Sequence, residues 1–441
     1  MKKILVLGAG LVCKPLVRYL LDQPEYHVTV ASRTVSKAID LIDGHEKGVA
    51  LPLNVEDNDA LDKLVSEHDL TISLVPYAYH VAVAKLCIKH KKQMVTTSYV
   101  SEEMKALDGQ AKEAGITILN EIGLDPGIDH MSAMKIIHKI QGAGGKVTRF
   151  FSFCGGLPAP EADTNPWGYK FSWSPRGVVL AGRNNARYLK EGANVDVPGP
   201  DLFGHHWAIS AQGYGELEAY LNRDSIPYID IYGLQGVKNM LRGTLRNAGW
   251  CYTMKKLADI DYFSLDEIDL SGMTAADVTC RMAGVEKGGD VKAKVAAAID
   301  VNIHTNSIYR MEWLGLFGDT PVPADAKSPI DVLAALMNEK LVYADGECDL
   351  CVMQHEFEAE YPDGRREETI STLIDTGIPG GDSSMARTVS LPAAIGAKMI
   401  LEGKITDRGV FIPVAPSIYE PVLEELASDV NVIFRETTRA L

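Results

Sequence analysis

Residues 121–130 read "EIGLDPGIDH". Gly123, Pro126 and Gly127 bracket Asp125, so the turn expected there aims one carboxylate in a set direction, as a proton-transfer or amine-positioning group requires. Upstream, "TTSY" places three hydroxyls, Thr97, Ser98 and Tyr99, at the end of a short apolar run. Downstream, "CGGLPAPEADTNPWGYKFSWSPRG" (154–177) passes from glycines and prolines to aromatics and then to the cations Lys170 and Arg176. Arg223 follows in "NRDS", and Arg242 and Arg246 lie in "RGTLR". Guanidinium forks bind carboxylates in a bidentate manner. Any one such arginine can be a surface ion pair, but five cations among glycine, proline and aromatic residues point to an anion site.

The elements that must position these groups are legible over residues 3–119. Six short β-branched runs, "KILVLG", "HVTVAS", "GVALPL", "DLTISLV", "QMVTTS" and "ITILN", alternate with stretches of helical spacing. This alternation predicts a parallel, doubly wound sheet of the dinucleotide-binding type. The first run enters "GAGLVC", where Gly8 permits a tight turn and Gly10 lets a pyrophosphate approach the backbone; the third small position is taken by Cys13. The second run ends in Ser32, Arg33 and Thr34 instead of an acidic residue. A hydroxyl and a guanidinium suit a ribose 2′-phosphate, so NADP is expected over NAD. Asn54 and Val55 after the third run, Val75 after the fourth, and Thr97 and Ser98 after the fifth fall at the same carboxyl edge, where such sheets place ligands.

Other chemistries are weaker. Asp125, Asp129, His130 and His138 match no familiar metal spacing, and Asp129 and His130 read as a helix cap and a packed helix residue. "CDLC" is a single pair with no second pair in range, so Cys348 and Cys351 read as ordinary buried thiols. No metal is expected. A net charge of −15 argues against nucleic-acid or anionic-membrane partners. No apolar run is long enough to span a bilayer, and the apolar run after Lys3 is too short for a secretory signal. Together with an odd count of seven cysteines, this predicts a soluble cytoplasmic protein with reduced thiols.

The strings "GLDPGIDH", "CGGLPAPE", "NPWGYKFSWSPRG", "NRDS" and "RGTLR", with "GAGLV", "SRT", "MQHEFE" and "ITDRGV", resemble the glutamate-forming saccharopine dehydrogenases, also called saccharopine reductases. The resemblance runs over nearly the whole chain. It implies NADPH-linked reduction of the imine between glutamate and 2-aminoadipate semialdehyde, giving saccharopine, and the reverse oxidation, by a homodimer. It carries over Ser98, Tyr99, Asp125, Ser174, Arg223, Thr244, Leu245 and Arg246 as substrate contacts, with Asp125, Tyr99 and Cys154 as candidates for proton transfer. Gly8, Gly10, Leu11, Val12, Ser32, Arg33, Thr34, Asn54, Val55, Val75, Thr97 and Ser98 are carried over to the nucleotide. The segment 203–221 and Asn54 depart from the family pattern. Carboxynorspermidine dehydrogenase, which acts on a cationic polyamine, and a non-catalytic NADP-sensing protein are the rival readings.

The expected architecture is α/β: a nucleotide domain of residues 1–125 and 390–441, and a substrate and dimerisation domain of residues 126–389 with a helical insertion at about 250–340. The region 386–413 is read as a helix returning to the nucleotide domain.

Overall fold

The computed structural model describes all 441 residues. Contacts divide the chain into two compact units, Met1–Ala143 with Gly381–Ile433, and Gly144–Gly380 with Phe434–Leu441.

In the first unit all six expected runs are strands: Lys2–Leu7, Tyr26–Ser32, Gly48–Pro52, Leu70–Ser73, Gln93–Thr96 and Thr117–Leu119. A seventh, Gly409–Phe411, joins Thr117–Leu119, and every pairing in the sheet is parallel. The order runs from Gly409–Phe411 through the sixth, fifth and fourth strands to the first, second and third. The strand order therefore reverses between the first and fourth strands, and a crevice opens beyond their carboxyl ends. The first strand carries four consecutive buried residues, Ile4 to Leu7, as a strand covered on both faces must. The returning helix is Ser384–Leu401, buried along most of its length. A Cβ on its Gly396 would lie 2.7 Å from the Ile122 side chain, so glycine lets this helix approach closely. The strand after it, Gly409–Phe411, falls within the same stretch that reads as helix.

The second unit holds a nine-stranded mixed sheet. Its main path runs His206–Ala211, Gly215–Leu221, Asn239–Arg246, Lys146–Pro158, Asp349–Glu360, Arg366–Thr376 and Phe434–Ala440, with the hairpin Ala186–Lys190 and Ala193–Val197 attached at Asn239–Arg246. The central strand Lys146–Pro158 pairs in parallel with Asn239–Arg246 and antiparallel with Asp349–Glu360. Five helices, from Trp250–Asp259 to Pro329–Lys340, lie between residues 250 and 340. They share a core with the sheet in which Trp167, Tyr169 and Trp250 meet edge to face or tilted, centroids 4.7–5.7 Å apart.

The expected partition differs from these units at three places. The helix Ile128–Gly142 and residues 381–389 belong to the first unit, and Phe434–Leu441 to the second, because the last strand pairs with Arg366–Thr376. The helix Ile128–Gly142 is buried along much of its length, whereas Phe434–Ala440 is a polar, mostly exposed strand defined by its pairing, so which unit receives each is a tertiary outcome.

At Gly155 the central strand leaves no room for a side chain beside Leu245 of Asn239–Arg246. A Cβ there would stand 2.6 Å from the Leu245 carbonyl oxygen and 2.7 Å from the Leu245 Cβ. Gly155→Ala should destabilise the second unit by roughly 1–3 kcal/mol through this overpacking, seen as a lowered apparent Tm in a thermal melt while NADP binding persists.

Candidate active site

The turn after the first strand is built on Gly8, whose φ is +110° and whose Cβ, if present, would lie 2.9 Å from the Leu74 carbonyl oxygen. The turn thus presses against the end of the fourth strand, at the point of reversal. At Gly10 nothing lies within 4 Å of the Cβ position, so the backbone is open to an approaching group. Leu11 is exposed, Val12 is the N-cap of the helix Cys13–Leu21, and the Cys13 sulfur accepts from the Gly10 amide at 3.2 Å. Burial raises the Cys13 thiol to about 11, so it acts as a small packed side chain and not as a nucleophile.

Beyond the second strand, Arg33, Pro52, Leu53, Asn54, Asp57 and Ala60 line an open cleft of about 240 Å³. Ser32 Oγ accepts from the Thr34 amide (3.3 Å), and Asn54 Oδ1 accepts from the Glu56 amide (3.3 Å). An exposed guanidinium beside apolar walls is what a 2′-phosphorylated adenosine requires, so these residues fit NADP. Val55, Val75 and Thr97 are half-buried at the same edge.

Three hydrogen-bonded groups lie further along that edge. The Tyr99 hydroxyl donates to Asp125 Oδ1 at 2.9 Å. The loop carrying Asp125 closes on itself: Gly123 N donates to the Pro126 carbonyl (2.9 Å), and a Cβ on Gly127, whose φ is +146°, would stand 2.1 Å from Gly123 backbone atoms. Behind it, Glu121 Oε1 accepts from the Val100 amide (2.9 Å) and its Oε2 meets His130 Nε2 (2.8 Å). Asp129 Oδ1 accepts from the Gly127 amide (2.6 Å). Asp129 and His130, read from sequence as a cap and a packed residue, therefore sit in a buried polar network that pins both neighbours of the Tyr99–Asp125 pair; Gly127 holds the N-cap position instead. His138 meets the Tyr419 hydroxyl at 2.8 Å. The third group is the Ser98 hydroxyl, 2.8 Å from His80 Nε2, while His80 Nδ1 lies 2.8 Å from Ser73 Oγ.

In the second unit the sheet register sets Tyr220, Thr244, Cys154 and Met353 in one row across four strands. Residues in such a row share a face, and Arg246, two residues beyond Thr244, shares it too. Arg246 is 4% exposed. Its Nη1 donates to the Leu245 carbonyl (2.7 Å), and its guanidinium lies 4.7 Å from the Tyr169 ring, 5.5 Å from Trp250 and 6.0 Å from Tyr220. Burial raises both Tyr169 and Tyr220, so those phenols are neutral. The carboxylate opposite in register, Glu218, accepts instead from the Gly249 and Cys251 amides (2.5 and 2.9 Å). Arg246 is thus a buried cation without a carboxylate partner, its Nε lacking an acceptor.

The remaining cations divide. Lys170 is buried and pairs with Glu347 at 2.5 Å and Thr164 at 3.0 Å; exposed Arg176 pairs with Asp331 at 2.5 Å. These two are internal ion pairs, a correction to the five-cation reading. Arg242 is buried with its guanidinium 4.3 Å from the Tyr228 ring, and Arg223 is half-buried just beyond the strand Gly215–Leu221. Ser174 is exposed and caps the helix Pro175–Ala181, accepting from the Gly177 amide. The Leu245 side chain is fully buried in the core, which leaves Thr244 and Arg246 as the polar members of that triplet. The aromatics of 167–171 are core residues, Trp167 donating to the Arg310 carbonyl at 3.0 Å.

Residues 4–119 match the saccharopine dehydrogenase NADP binding domain, and residues 123–431 match the saccharopine dehydrogenase C-terminal domain. The chain belongs to the saccharopine dehydrogenase family. A saccharopine dehydrogenase [NADP(+), L-glutamate-forming] of Pyricularia oryzae is 41% identical over 99% of this chain and 98% of its own length. The apo saccharopine dehydrogenase (L-Glu forming) of Saccharomyces cerevisiae superposes with a TM-score of 0.90 at 38% identity, covering the whole of both chains. The mitochondrial alpha-aminoadipic semialdehyde synthase of Bos taurus is 37% identical over 97% of this chain, which spans 47% of that longer protein. Saccharopine dehydrogenase membership makes the protein an NADP-dependent oxidoreductase of lysine metabolism.

His80, Glu121, Tyr169 and Tyr220 are the polar neighbours that sequence reasoning did not select. A lone histidine or tyrosine carries no spacing signature, and only register and loop closure bring them to the groups they touch.

Two outcomes follow. Arg33→Ala should weaken NADP by about ten- to a hundredfold, the worth of one charge-assisted contact, and leave NAD nearly unchanged, as measured by calorimetric titration. His80, which burial alone lowers from 6.5 to about 4, contributes stability that is full above pH 6.5 and is lost as pH falls toward 4, because the unfolded chain binds the proton first. His80→Gln should flatten the stability curve over that window by up to about 3 kcal/mol, measured by denaturant unfolding at stepped pH.

Proposed function

We propose that the protein interconverts saccharopine with glutamate and 2-aminoadipate semialdehyde, using NADP; Asp125, Tyr99 and Ser98 are the candidate substrate contacts of the first unit, and Arg223, Thr244, Arg246 and Cys154 are the candidates of the second. The observation that carries this reading is Arg246. A guanidinium removed from water without an anion costs several kcal/mol, and a carboxylate-bearing substrate offsets that cost in the bound state. Saccharopine brings three carboxylates; a polyamine with one carboxylate gives a buried arginine and a second arginine nearby in the chain far less to bind.

NADP, when bound, supplies or accepts the hydride. The protein's own groups do the rest. Gly8 and Gly10 open the first turn to the pyrophosphate, with Leu11 and Val12 completing it, and Ser32, Arg33, Thr34 and Asn54 hold the phosphorylated ribose. Val55, Val75 and Thr97 frame the apolar side. Forming the imine releases water and hydrolysing it consumes water, so a proton must move to and from the amine. Tyr99 and Asp125, already sharing a hydrogen bond, are suited to hold that proton, with Cys154 as the weaker candidate. Ser174 contributes by ordering the turn before Arg176.

Seven buried cysteines support a reducing, cytoplasmic setting, and no helix is long and apolar enough to cross a membrane. The resemblance of the motifs supports a homodimer.

Purified protein given saccharopine and NADP should generate reduced cofactor, followed by its absorbance, and should do so poorly with NAD. Arg223→Ala should raise KM for saccharopine at least about tenfold with NADP affinity intact. Asp125→Asn should lower kcat by roughly a hundredfold or more if it moves the proton. Turnover of carboxynorspermidine but not saccharopine would overturn the substrate, and NADP binding without turnover of either would leave a sensor.

A further inference from the structure

Ser73 and Thr96 are register partners at the ends of two adjacent parallel strands. His80, the first residue of the helix His80–His90, lies over both: its Nδ1 is 2.8 Å from Ser73 Oγ, and its Nε2 is 2.8 Å from Ser98 Oγ and 3.5 Å from Thr96 Oγ1. Ser98 is tied to the same cluster a second time, its amide donating to Thr96 Oγ1 at 3.3 Å. His80 is 4% exposed, Ser73 and Thr96 are buried, and Ser98 alone of the four is half-buried at the carboxyl edge.

We propose that His80 is a positioning residue that orients the Ser98 hydroxyl for the ligand through a buried Ser73–His80–Ser98 chain. This rests on the reading of Ser98 as a ligand contact. A serine hydroxyl is a free rotor with one proton and two lone pairs. A neutral imidazole has one N–H and one lone pair, so Ser73 and Ser98 must take opposite roles toward it. Once Ser73 is set, Ser98 has one of its roles consumed and presents the other outward in a defined direction. Preorganisation of this kind spares the ligand the cost of ordering the hydroxyl. Burial lowers His80 to about 4, so near neutral pH the ring keeps one N–H and one lone pair and the two roles stay opposed.

The test is a double-mutant cycle on the full-length protein with saccharopine and NADP. Ser98→Ala and His80→Leu should each raise KM for saccharopine by about tenfold, near the worth of one well-placed hydrogen bond, with smaller changes in kcat. His80→Leu added to Ser98→Ala should cost less than about twofold more. His80→Gln, whose amide can reach the position of Nε2, should restore most of the loss. Additive effects of the two substitutions, or a glutamine variant no better than leucine at equal thermal stability, would overturn the positioning role while leaving Ser98 as a contact. A silent Ser98→Ala would remove the reading of Ser98 and the proposal with it.

Discussion

A cation taken out of water must find negative charge, and the second unit is arranged around one that does not find it internally. Arg246 is walled by Tyr169, Trp250 and Tyr220, with only a backbone carbonyl as acceptor, while Glu218 across the strand pair is committed to a helix terminus. The row of Tyr220, Thr244, Cys154 and Met353 exists because Lys146–Pro158 and Asn239–Arg246 run parallel in one register. Gly155 is what lets those strands approach. A slip of one residue would turn Arg246 and Cys154 to opposite faces.

The first unit solves a different problem, that of aiming hydroxyls and one carboxylate from loops. Parallel strands end together, so their following loops collect at one edge. Loops alone would leave Ser98 and Tyr99 mobile; here each has a buried backer. Ser98 leans on His80, and the Tyr99–Asp125 pair is pinned from behind through Val100 and Gly127 by Glu121 and Asp129. The groups that back this edge, His80, Glu121 and Asp129, are themselves buried.

Much of this was legible in the residues. Alternating apolar runs mark six of the seven strands of the parallel sheet, Gly8 and Gly10 mark the turn, and Arg33 with Asn54 lines one cleft. What escaped had physical causes. Gly409–Phe411 lies within 386–413, where the long apolar helical run that precedes it dominates the pattern. Lys170 and Arg176 looked like ligand-binding cations because ion partners as distant in sequence as Glu347 and Asp331 leave no local mark. Trp167 and Tyr169 stand in the stretch that suggests an anion site, whereas bulk and ring-to-ring contact with Trp250 make them core. His80 and Glu121 act through tertiary hydrogen bonds that no spacing encodes.

The chain passes from one unit to the other after Ala143, returns after Gly380 and leaves again after Ile433. Each sheet therefore takes an edge strand from late in the chain, Gly409–Phe411 for the first and Phe434–Ala440 for the second. On a ribosome, neither sheet can be completed when its earlier strands emerge. The edges of Thr117–Leu119 and Arg366–Thr376 therefore stay available for pairing with a neighbouring nascent chain until Gly409–Phe411 and Phe434–Ala440 have been made.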